Sequence, residues 1–325
     1  MKHHQLDVFT ETPLLKLQRE ANRVCRERFG NEIEFCAIVN AKNGRCSMDC
    51  RFCAQSIYGY APIEAYPFLN RDSLVDQTQA LWRRGIRRVG WVISGCAASD
   101  DEIDNIVAAR CHGGLLCASL GQINRSAFYR LREAGFTRYH HNLETSEAFY
   151  PSICSTQRWS DRLETVRQAK SLGFEICCGG VFGLGETWKD RYDLAMVLRN
   201  LDADSVPVNF LTPIPGTPFA GHQVLSAGEA LRIIAMLRLL LPNATIRVCG
   251  GRPAIFGKCL EEVLGSGANA LMTGDYLTTE GISPENDRQM AVQSGFDIVP
   301  PLPPREGYPN AADDRSLNQN PSSNR

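Results

Sequence analysis

The sequence has no excess of charge of either sign and no long hydrophobic run. Its 325 residues include 35 Lys and Arg against 36 Asp and Glu, a formal net charge of -1. This balance argues against a nucleic-acid-binding surface and against attraction to an acidic membrane. No apolar run approaches the roughly 20 residues of a transmembrane helix. The first residues contain no apolar signal core, so a cytoplasmic location is expected.

The cysteines do not form the even, regularly spaced set of a disulfide framework. There are 13 of them, an odd number, in a chain long enough for one large domain or two small ones. In a cytoplasmic protein, metal-binding thiols mixed with buried structural ones explain such a number better. The cysteines predicted to be structural are Cys25, Cys36, Cys111, Cys178 and Cys259.

Short apolar runs alternate with amphipathic stretches along most of the chain. Eight runs rich in Val, Ile and Cys cover residues 34–41, 87–95, 115–121, 138–144, 175–183, 205–214, 245–251 and 270–275. Several of the amphipathic stretches between them end at Gly or Pro, as helices commonly do. This alternation predicts βα units, and eight units over about 250 residues predict a closed (β/α)8 TIM-type barrel. A doubly wound open sheet is the alternative.

The two ends of the chain are expected to lie outside the barrel. Residues 1–30 contain an amphipathic stretch and predict an N-terminal helical extension, whereas residues 31–298 form the barrel domain. Residues 299–325 are rich in Pro, Asn and Ser and cannot bury apolar area, so this tail is predicted to be disordered.

Three cysteines lie close together in GRCSMDCRFCAQS, residues 44–56. Cys46, Cys50 and Cys53 follow the first predicted strand, at the barrel face that carries active sites. Zinc would need a fourth ligand, usually from a second Cys or His pair, and none follows nearby. Three thiolates on a cubane iron–sulfur cluster leave one iron open for a small molecule, so a cluster is favoured over a structural zinc site.

This motif, with Phe52 before its third cysteine, resembles the radical S-adenosylmethionine (SAM) superfamily. The segments NAKNGRCSMDCRFCAQS, YHHNLETS, GLGETWKDR and SVPVNFLTPIPGTP resemble those of biotin synthases, and the likeness runs from about residue 14 to residue 275. It implies a [4Fe-4S] cluster on Cys46, Cys50 and Cys53 that cleaves SAM, bound beside Phe52, to a 5′-deoxyadenosyl radical. The radical removes hydrogen from dethiobiotin, and an auxiliary cluster supplies the sulfur that closes the ring. The family also implies flavodoxin or ferredoxin as electron donor, and a homodimer.

The resemblance assigns ligand contacts to two further strands. Because side chains alternate along a strand, His140, Asn142 and Glu144 share one face and His141 the other. By resemblance the first face points into the lumen, where Asn142 and Glu144 bind the ribose of SAM and His140 contacts dethiobiotin. The family usually has Asn and Asp at positions 140 and 144. Asn209 on the sixth strand offers the donor and acceptor that a cyclic urea requires.

The auxiliary cluster is where the chain departs from the family pattern. The family's [2Fe-2S] centre uses three cysteines and one arginine, and Cys117, Cys177 and Arg247 match three of the four. Gly90 stands where the remaining cysteine is expected. Cys96 lies six residues further on, about 20 Å along an extended strand, which is too far to replace it.

An auxiliary cluster with altered ligands, [2Fe-2S] or larger, is therefore expected. Cys154, just past the fourth strand, and Cys249, two residues from Arg247, are the candidates to support Cys117 and Cys177. The alternative is that Cys154 and Cys249 are buried small apolar residues, as free cysteines often are.

Two other functions are compatible with parts of the sequence. A radical SAM relative acting in metal-cofactor maturation or methylation would explain Gly90 and His140, but it has no need of the lumenal cysteines. A non-catalytic iron–sulfur redox protein would not need polar lumenal residues such as Asn142 and Asn209. The resemblance therefore implies a radical SAM sulfurtransferase that acts on dethiobiotin.

Overall fold

A computed structural model describes residues 4–109, 111, 113–257 and 260–300 of the chain. Within these residues the strands are β1 (Glu32–Lys42), β2 (Arg88–Ile93), β3 (Leu115–Ser119), β4 (Phe136–His140), β5 (Glu175–Cys177), β6 (Gly180–Phe182), β7 (Ser205–Phe210), β8 (Thr245–Val248), β9 (Ala270–Met272) and β10 (Asp297–Ile298). The helices are α1 (His4–Glu11), α2 (Leu14–Phe29), α3 (Arg71–Arg83), α4 (Asp100–Ala108), α5 (Arg125–Glu133), α6 (Trp159–Ser171), α7 (Trp188–Asn200), α8 (Ala227–Leu240), α9 (Arg252–Phe256), α10 (Leu260–Gly265) and α11 (Pro284–Gln293).

The strands form a closed parallel barrel, as predicted. Their order is β1-β2-β3-β4-β5-β7-β8-β9, and the pairing of β9 with β1 closes it. The fifth barrel position is shared by two short strands, since β5 and β6 both pair with β7 and are separated by Cys178 and Gly179. Eight strand positions therefore surround one lumen, and the alternative of an open sheet is wrong. β10 adds to the outer edge at the start of β1.

Local sequence signals explain where several helices begin. Ser99 and Glu102 form a reciprocal capping box at the start of α4. Thr187 and Asp190 do the same for α7. Each box satisfies backbone N–H groups that have no partner inside the helix. These caps fix the connections that follow the strands, and so the shape of the barrel mouth.

The N-terminal helices lie outside the barrel, where α2 packs on α8. Leu17 and Ala21 are buried in this contact. The assignment of residues 1–30, 31–298 and 299–325 to three regions stays a prediction, because residues 301–325 of the predicted tail lie outside the described residues. Cys259 lies outside them as well.

A buried ion pair attaches α11 to the barrel. Asp287 accepts two hydrogen bonds from Arg252, of 2.8 and 2.6 Å, and the two side chains are 0% and 2% exposed. The Asp287→Ala substitution leaves the guanidinium buried without its carboxylate, so we expect a loss of about 3–5 kcal/mol in the free energy of unfolding. Urea unfolding of protein purified without oxygen measures this loss.

The matched control breaks an ion pair on the surface of the same helix. Glu285 pairs with Arg84, and both side chains are more than 40% exposed. The Glu285→Ala substitution should change stability by no more than about 1 kcal/mol. Equal stability of the Asp287→Ala and Glu285→Ala variants would contradict a structural role for the buried pair.

Candidate active site in the barrel lumen

A cavity of about 400 Å³ occupies the lumen and reaches the carboxyl ends of the strands. This volume lies in the usual range for ligand pockets. The predicted site residues that line it are Cys50, Phe52, Cys53, Cys117, His140, Asn142, Glu144, Cys177, Asn209, Arg247 and Cys249. Residues from strands far apart in sequence are thus brought to one volume.

The loop after β1 presents the first group of thiols. Its backbone is fixed by hydrogen bonds of 2.9 Å from the Cys46 N–H to Gln55 and from the Cys53 N–H to the Cys50 carbonyl. Burial, reinforced by the neighbouring Cys46, raises the pKa of Cys53 to about 11. Without a metal this thiol is therefore protonated at neutral pH, and a bound metal would draw it into the thiolate form.

The assignment of these thiols to a cluster stays a prediction from their motif. Among the described residues, no three His, Cys, Asp or Glu side chains are arranged to hold a metal ion. Cys50 and Cys53 line the cavity, and Cys46 lies outside its lining.

Cys154 lies against this same loop rather than in the lining of the cavity. Its thiol is 3.2 Å from Asp49 Oδ1, and Asp49 also accepts hydrogen bonds from the backbone N–H groups of Ser155 and Thr156. A hydrogen bond with Cys50 lowers the pKa of Cys154 to about 6. The structure therefore groups Cys154 with Cys50, on the mouth side of the site.

Arg162 on α6 organises the polar wall of the cavity. It donates hydrogen bonds to Glu144 Oε1 at 2.9 Å and to the Asn142 carbonyl oxygen at 2.5 Å. The Asn142 side chain accepts from the Gly179 N–H at 3.1 Å. Arg162 was not identified from sequence, because nothing local marks a helical arginine as a partner of residues in the preceding loop.

The strand that carries these residues ends earlier than its sequence suggests. β4 stops at His140, and Glu144 has a left-handed backbone with φ of 68°. The predicted alternation therefore fails beyond His140. His141, expected on the packing face, also lines the cavity, and its Nε2 atom has no hydrogen-bond partner.

Asn209 links the ends of three strands at the cavity wall. Its side-chain nitrogen donates to the Gly180 carbonyl at 3.2 Å, and its oxygen accepts from the Gly250 N–H at 3.1 Å. The Asn209 amide thus connects neighbouring strand ends by hydrogen bonds and also lines the cavity.

The second group of thiols lies deeper in the lumen. Burial opposes ionisation of Cys177, but the hydrogen-bonded His140 imidazole and nearby arginines outweigh it and lower its pKa to about 6. Burial and the adjacent Cys177 charge raise the pKa of Cys117 to about 12. Cys177 is therefore the member of this pair that is ready to bind a metal as a thiolate.

Charged side chains form the floor of the lumen. Arg247 hydrogen-bonds to Glu34, and the side chains of Arg88 and Arg138 lie 3.7 and 3.6 Å from the same carboxylate. Glu175 is the second carboxylate of the group, bound by Arg138 at 2.9 Å. Three arginines thus face two carboxylates, which leaves a positive charge beside the lumenal thiols.

Two buried atoms of this floor, Arg88 Nε and Arg138 Nη1, make no hydrogen bond. Both face the Glu34 carboxylate at ion-pair distance, 3.7 and 3.6 Å from Oε1. An iron–sulfur cluster with thiolate ligands is anionic, so the positive charge that the three arginines leave on the floor fits the auxiliary cluster.

Curated proteins and family descriptions match most of the chain. Residues 42–198 match the radical SAM superfamily, and residues 207–297 match the biotin and thiamin synthesis associated domain. Biotin synthase of Desulfovibrio desulfuricans is 46% identical over 289 residues, which cover 86% of this chain and 90% of that protein. Biotin synthase of Pelotomaculum thermopropionicum is 44% identical, with 89% and 92% covered. The chain belongs to the biotin synthase family.

Solved structures agree with this family at the level of the fold. Methylornithine synthase superposes with a TM-score of 0.77 at 20% identity, over 97% of this chain and 96% of that one. The FeFe-hydrogenase maturase of Carboxydothermus hydrogenoformans gives 0.75 at 19% identity, over 87% and 71%. Identities this low show a shared barrel and not a shared substrate. As a member of the biotin synthase family, the chain is a radical SAM enzyme, and the expectation of a non-catalytic redox protein is set aside.

Proposed function

We propose that this chain converts dethiobiotin to biotin by radical-SAM insertion of sulfur. The observation that carries the proposal is the presence of two separate groups of thiols at one cavity, Cys50 and Cys53 at the mouth and Cys117 and Cys177 inside. When bound, the [4Fe-4S] cluster with SAM supplies a radical able to remove hydrogen from unactivated carbon, and the auxiliary cluster supplies sulfur. The protein's own part is to hold, orient and shield the reactants.

Residues at the mouth hold the first cluster and SAM. Cys46, Cys50 and Cys53 bind three irons of the [4Fe-4S] cluster, and Phe52 packs beside SAM. Asn142 and Glu144 bind the ribose hydroxyls. Support for these two roles comes from the cavity wall, where Arg162 and Gly179 hold both side chains in place before any ligand arrives. A prearranged wall lowers the entropy cost of binding.

Deeper residues bind dethiobiotin and the auxiliary cluster. His140 and Asn209 contact the ureido ring, which needs both donors and acceptors. Cys117 and Cys177 bind the auxiliary cluster and Arg247 borders it. His140 is hydrogen-bonded to Cys177, so the group assigned to the substrate lies directly against a group assigned to the sulfur source. Of the two supporting cysteines, Cys249 is favoured by its place in the cavity lining.

Turnover without oxygen tests this function. Reduced protein is given SAM and dethiobiotin, and 5′-deoxyadenosine and biotin are measured by mass spectrometry. The proposal predicts both products. Formation of 5′-deoxyadenosine without biotin would favour a radical SAM relative with another substrate, for which Gly90 and His140 are the supporting residues. Absence of both products would overturn each enzymatic function.

Glu144 provides a test of the SAM site. The Glu144→Gln substitution removes the charge that Arg162 holds at 2.9 Å while keeping the side-chain shape. Loss of one charge-assisted hydrogen bond is worth about 1.5 kcal/mol, so SAM should bind roughly tenfold more weakly. Equilibrium dialysis of SAM measures this change. Glu147, which is exposed, provides the control, and Glu147→Gln should bind SAM as wild type does. If Glu144→Gln also binds SAM with unchanged affinity, Glu144 is not a SAM ligand.

The proposal also covers the electron donor, the oligomeric state and the cellular location of the protein. The family resemblance supports flavodoxin or ferredoxin as electron donor, a homodimer and a cytoplasmic location. Within the described residues, no helix is long and apolar enough to cross a membrane. Gel filtration of the protein without oxygen tests the dimer, and reduction of the first cluster by each carrier tests the donor.

A further inference from the structure

Cys36 lies in the wall of the lumen, although its sequence context predicted a structural role. Buried and half-buried residues alternate along β1, and Cys36 belongs to the half-buried set with Glu34 and Ile38. Cys36 and Ile38 both line the cavity. Residues two apart share a strand face, so the Cys36 thiol points into the same volume as the Glu34 carboxylate at the floor.

Three other lumenal thiols, Cys117, Cys177 and Cys249, line the same cavity as Cys36. The four residues come from four strand positions, namely β1, β3, β5 and the residue that follows β8. All four line the one cavity. The four thiols are therefore spread around the cavity and do not converge on the position of a single metal ion. Ligands of a cluster with several irons have such an arrangement.

The strand register explains how Cys36 and Cys249 come together. Cys36 pairs with Met272 of β9, and Val248 pairs with Leu271. Cys249 is the residue after Val248, so it lies level with Met272 on the other side of β9. One strand therefore separates the two thiols, a spacing of about 10 Å between the outer strands of three.

Gly90 on β2 lies between Ile38 and Cys117 in the strand register. A β-carbon at Gly90 would lie 3.6 Å from Ile38 Cγ2 and 3.9 Å from Cys117 Cβ, which is ordinary contact. The missing side chain thus leaves the space of about one β-carbon free beside Cys117, on the cavity lining.

The floor supplies positive charge but no free arginine ligand. Arg88 pairs in register with Cys36, and its Nε lies 3.7 Å from Glu34 Oε1. Arg247 is committed to the Glu34 carboxylate. A guanidinium bonded to a carboxylate stays protonated and offers iron no lone pair, so Arg247 departs here from the arginine ligand of the family pattern.

We propose that Cys36, Cys117, Cys177 and Cys249 bind the auxiliary iron–sulfur cluster through four thiolates, with Arg247 as a charge partner at the floor. Four thiolates are the ligand set of both [2Fe-2S] and [4Fe-4S] clusters. This inference rests on the proposed function, because it completes the ligands of the same auxiliary cluster. It adds Cys36 and Cys249 to the pair that the sequence motif identified.

The test compares metal content and spectra of full-length variants. Wild type, Cys36→Ala, Cys36→Ser and Cys178→Ala are purified without oxygen, and iron, sulfide and Mössbauer spectra are measured. Cys178 is the matched control, since it is a buried cysteine next to Cys177 that lies in the apolar core. Cleavage of SAM to 5′-deoxyadenosine shows in each variant that the fold and the first cluster are intact.

The expected results separate ligation from packing. Cys36→Ala should keep only the iron of the first cluster and continue to cleave SAM. Cys36→Ser should keep auxiliary iron with an altered Mössbauer spectrum, because a serine oxygen replaces a sulfur. Cys178→Ala should match wild type. Unchanged auxiliary iron and spectra in both Cys36 variants would overturn the inference and leave the proposed function standing. Wild type with the first cluster alone would overturn both.

Discussion

Replacement of Cys53 by alanine is expected to abolish the formation of 5′-deoxyadenosine from SAM. Cys53 lines the cavity, and its backbone N–H donates to the Cys50 carbonyl, which holds it in the loop beside the other cluster cysteines. Loss of a residue that only hydrogen-bonds to a metal ligand costs roughly 10–100-fold in affinity or activity. Loss of a ligand itself should exceed that range, and biotin formation should stop together with SAM cleavage.

Product analysis by mass spectrometry and iron determination measure this effect. Cys25 on α2 provides the control, because it is buried at 3% exposure outside the barrel. Cys25→Ala should keep wild-type iron and products. Continued SAM cleavage by Cys53→Ala would show that the loop after β1 does not hold the radical-generating cluster.

Replacement of Cys117 by alanine should separate the two halves of the reaction. Cys117 lies on β3 inside the lumen, in register with Gly90 and Arg138, whereas the cysteines of the first cluster lie on the loop after β1. The first cluster and SAM therefore remain bound, and 5′-deoxyadenosine continues to form. Biotin should fall to background, because the sulfur source has lost a ligand.

The ratio of the two products is the decisive quantity. In wild type, 5′-deoxyadenosine and biotin form together, whereas Cys117→Ala should give the first without the second. Asn209→Ala serves as a comparison that weakens substrate binding and leaves the lumenal thiols in place, so added dethiobiotin should restore part of its biotin yield. A full biotin yield from Cys117→Ala would remove the auxiliary cluster from the mechanism.

The barrel was predictable because its signals are local and repeated. Each strand reads as a short apolar run and each helix as an amphipathic stretch with a cap, so βα alternation follows from neighbouring residues alone. The break of the fifth strand at Cys178 and Gly179 was not predicted. There Gly179 approaches Pro207 so closely that a β-carbon would lie 2.1 Å from the Pro207 carbonyl, and only the assembled barrel reveals that contact.

Site residues that belong to one short sequence motif were predictable. Site residues that come together from strands far apart in sequence were not. Cys46, Cys50 and Cys53 form such a motif. Cys36 belongs to no such motif. The even spacing of Glu34, Cys36 and Asn40 nevertheless marks one polar face along β1.

The arginine floor has no comparable signal. Glu34 and Arg247 are 213 positions apart, and their pairing depends on the closure of the whole barrel.

The charged floor also determines how material moves through the enzyme. Arg88, Arg138 and Arg247 are at most 5% exposed, so these side chains close the amino-terminal end of the lumen. The loop after β1 lines the cavity near the carboxyl ends of the strands. In the proposed reaction we therefore expect SAM, dethiobiotin and the sulfide that restores the auxiliary cluster to enter from this side, so that bound SAM or dethiobiotin delays repair of the cluster.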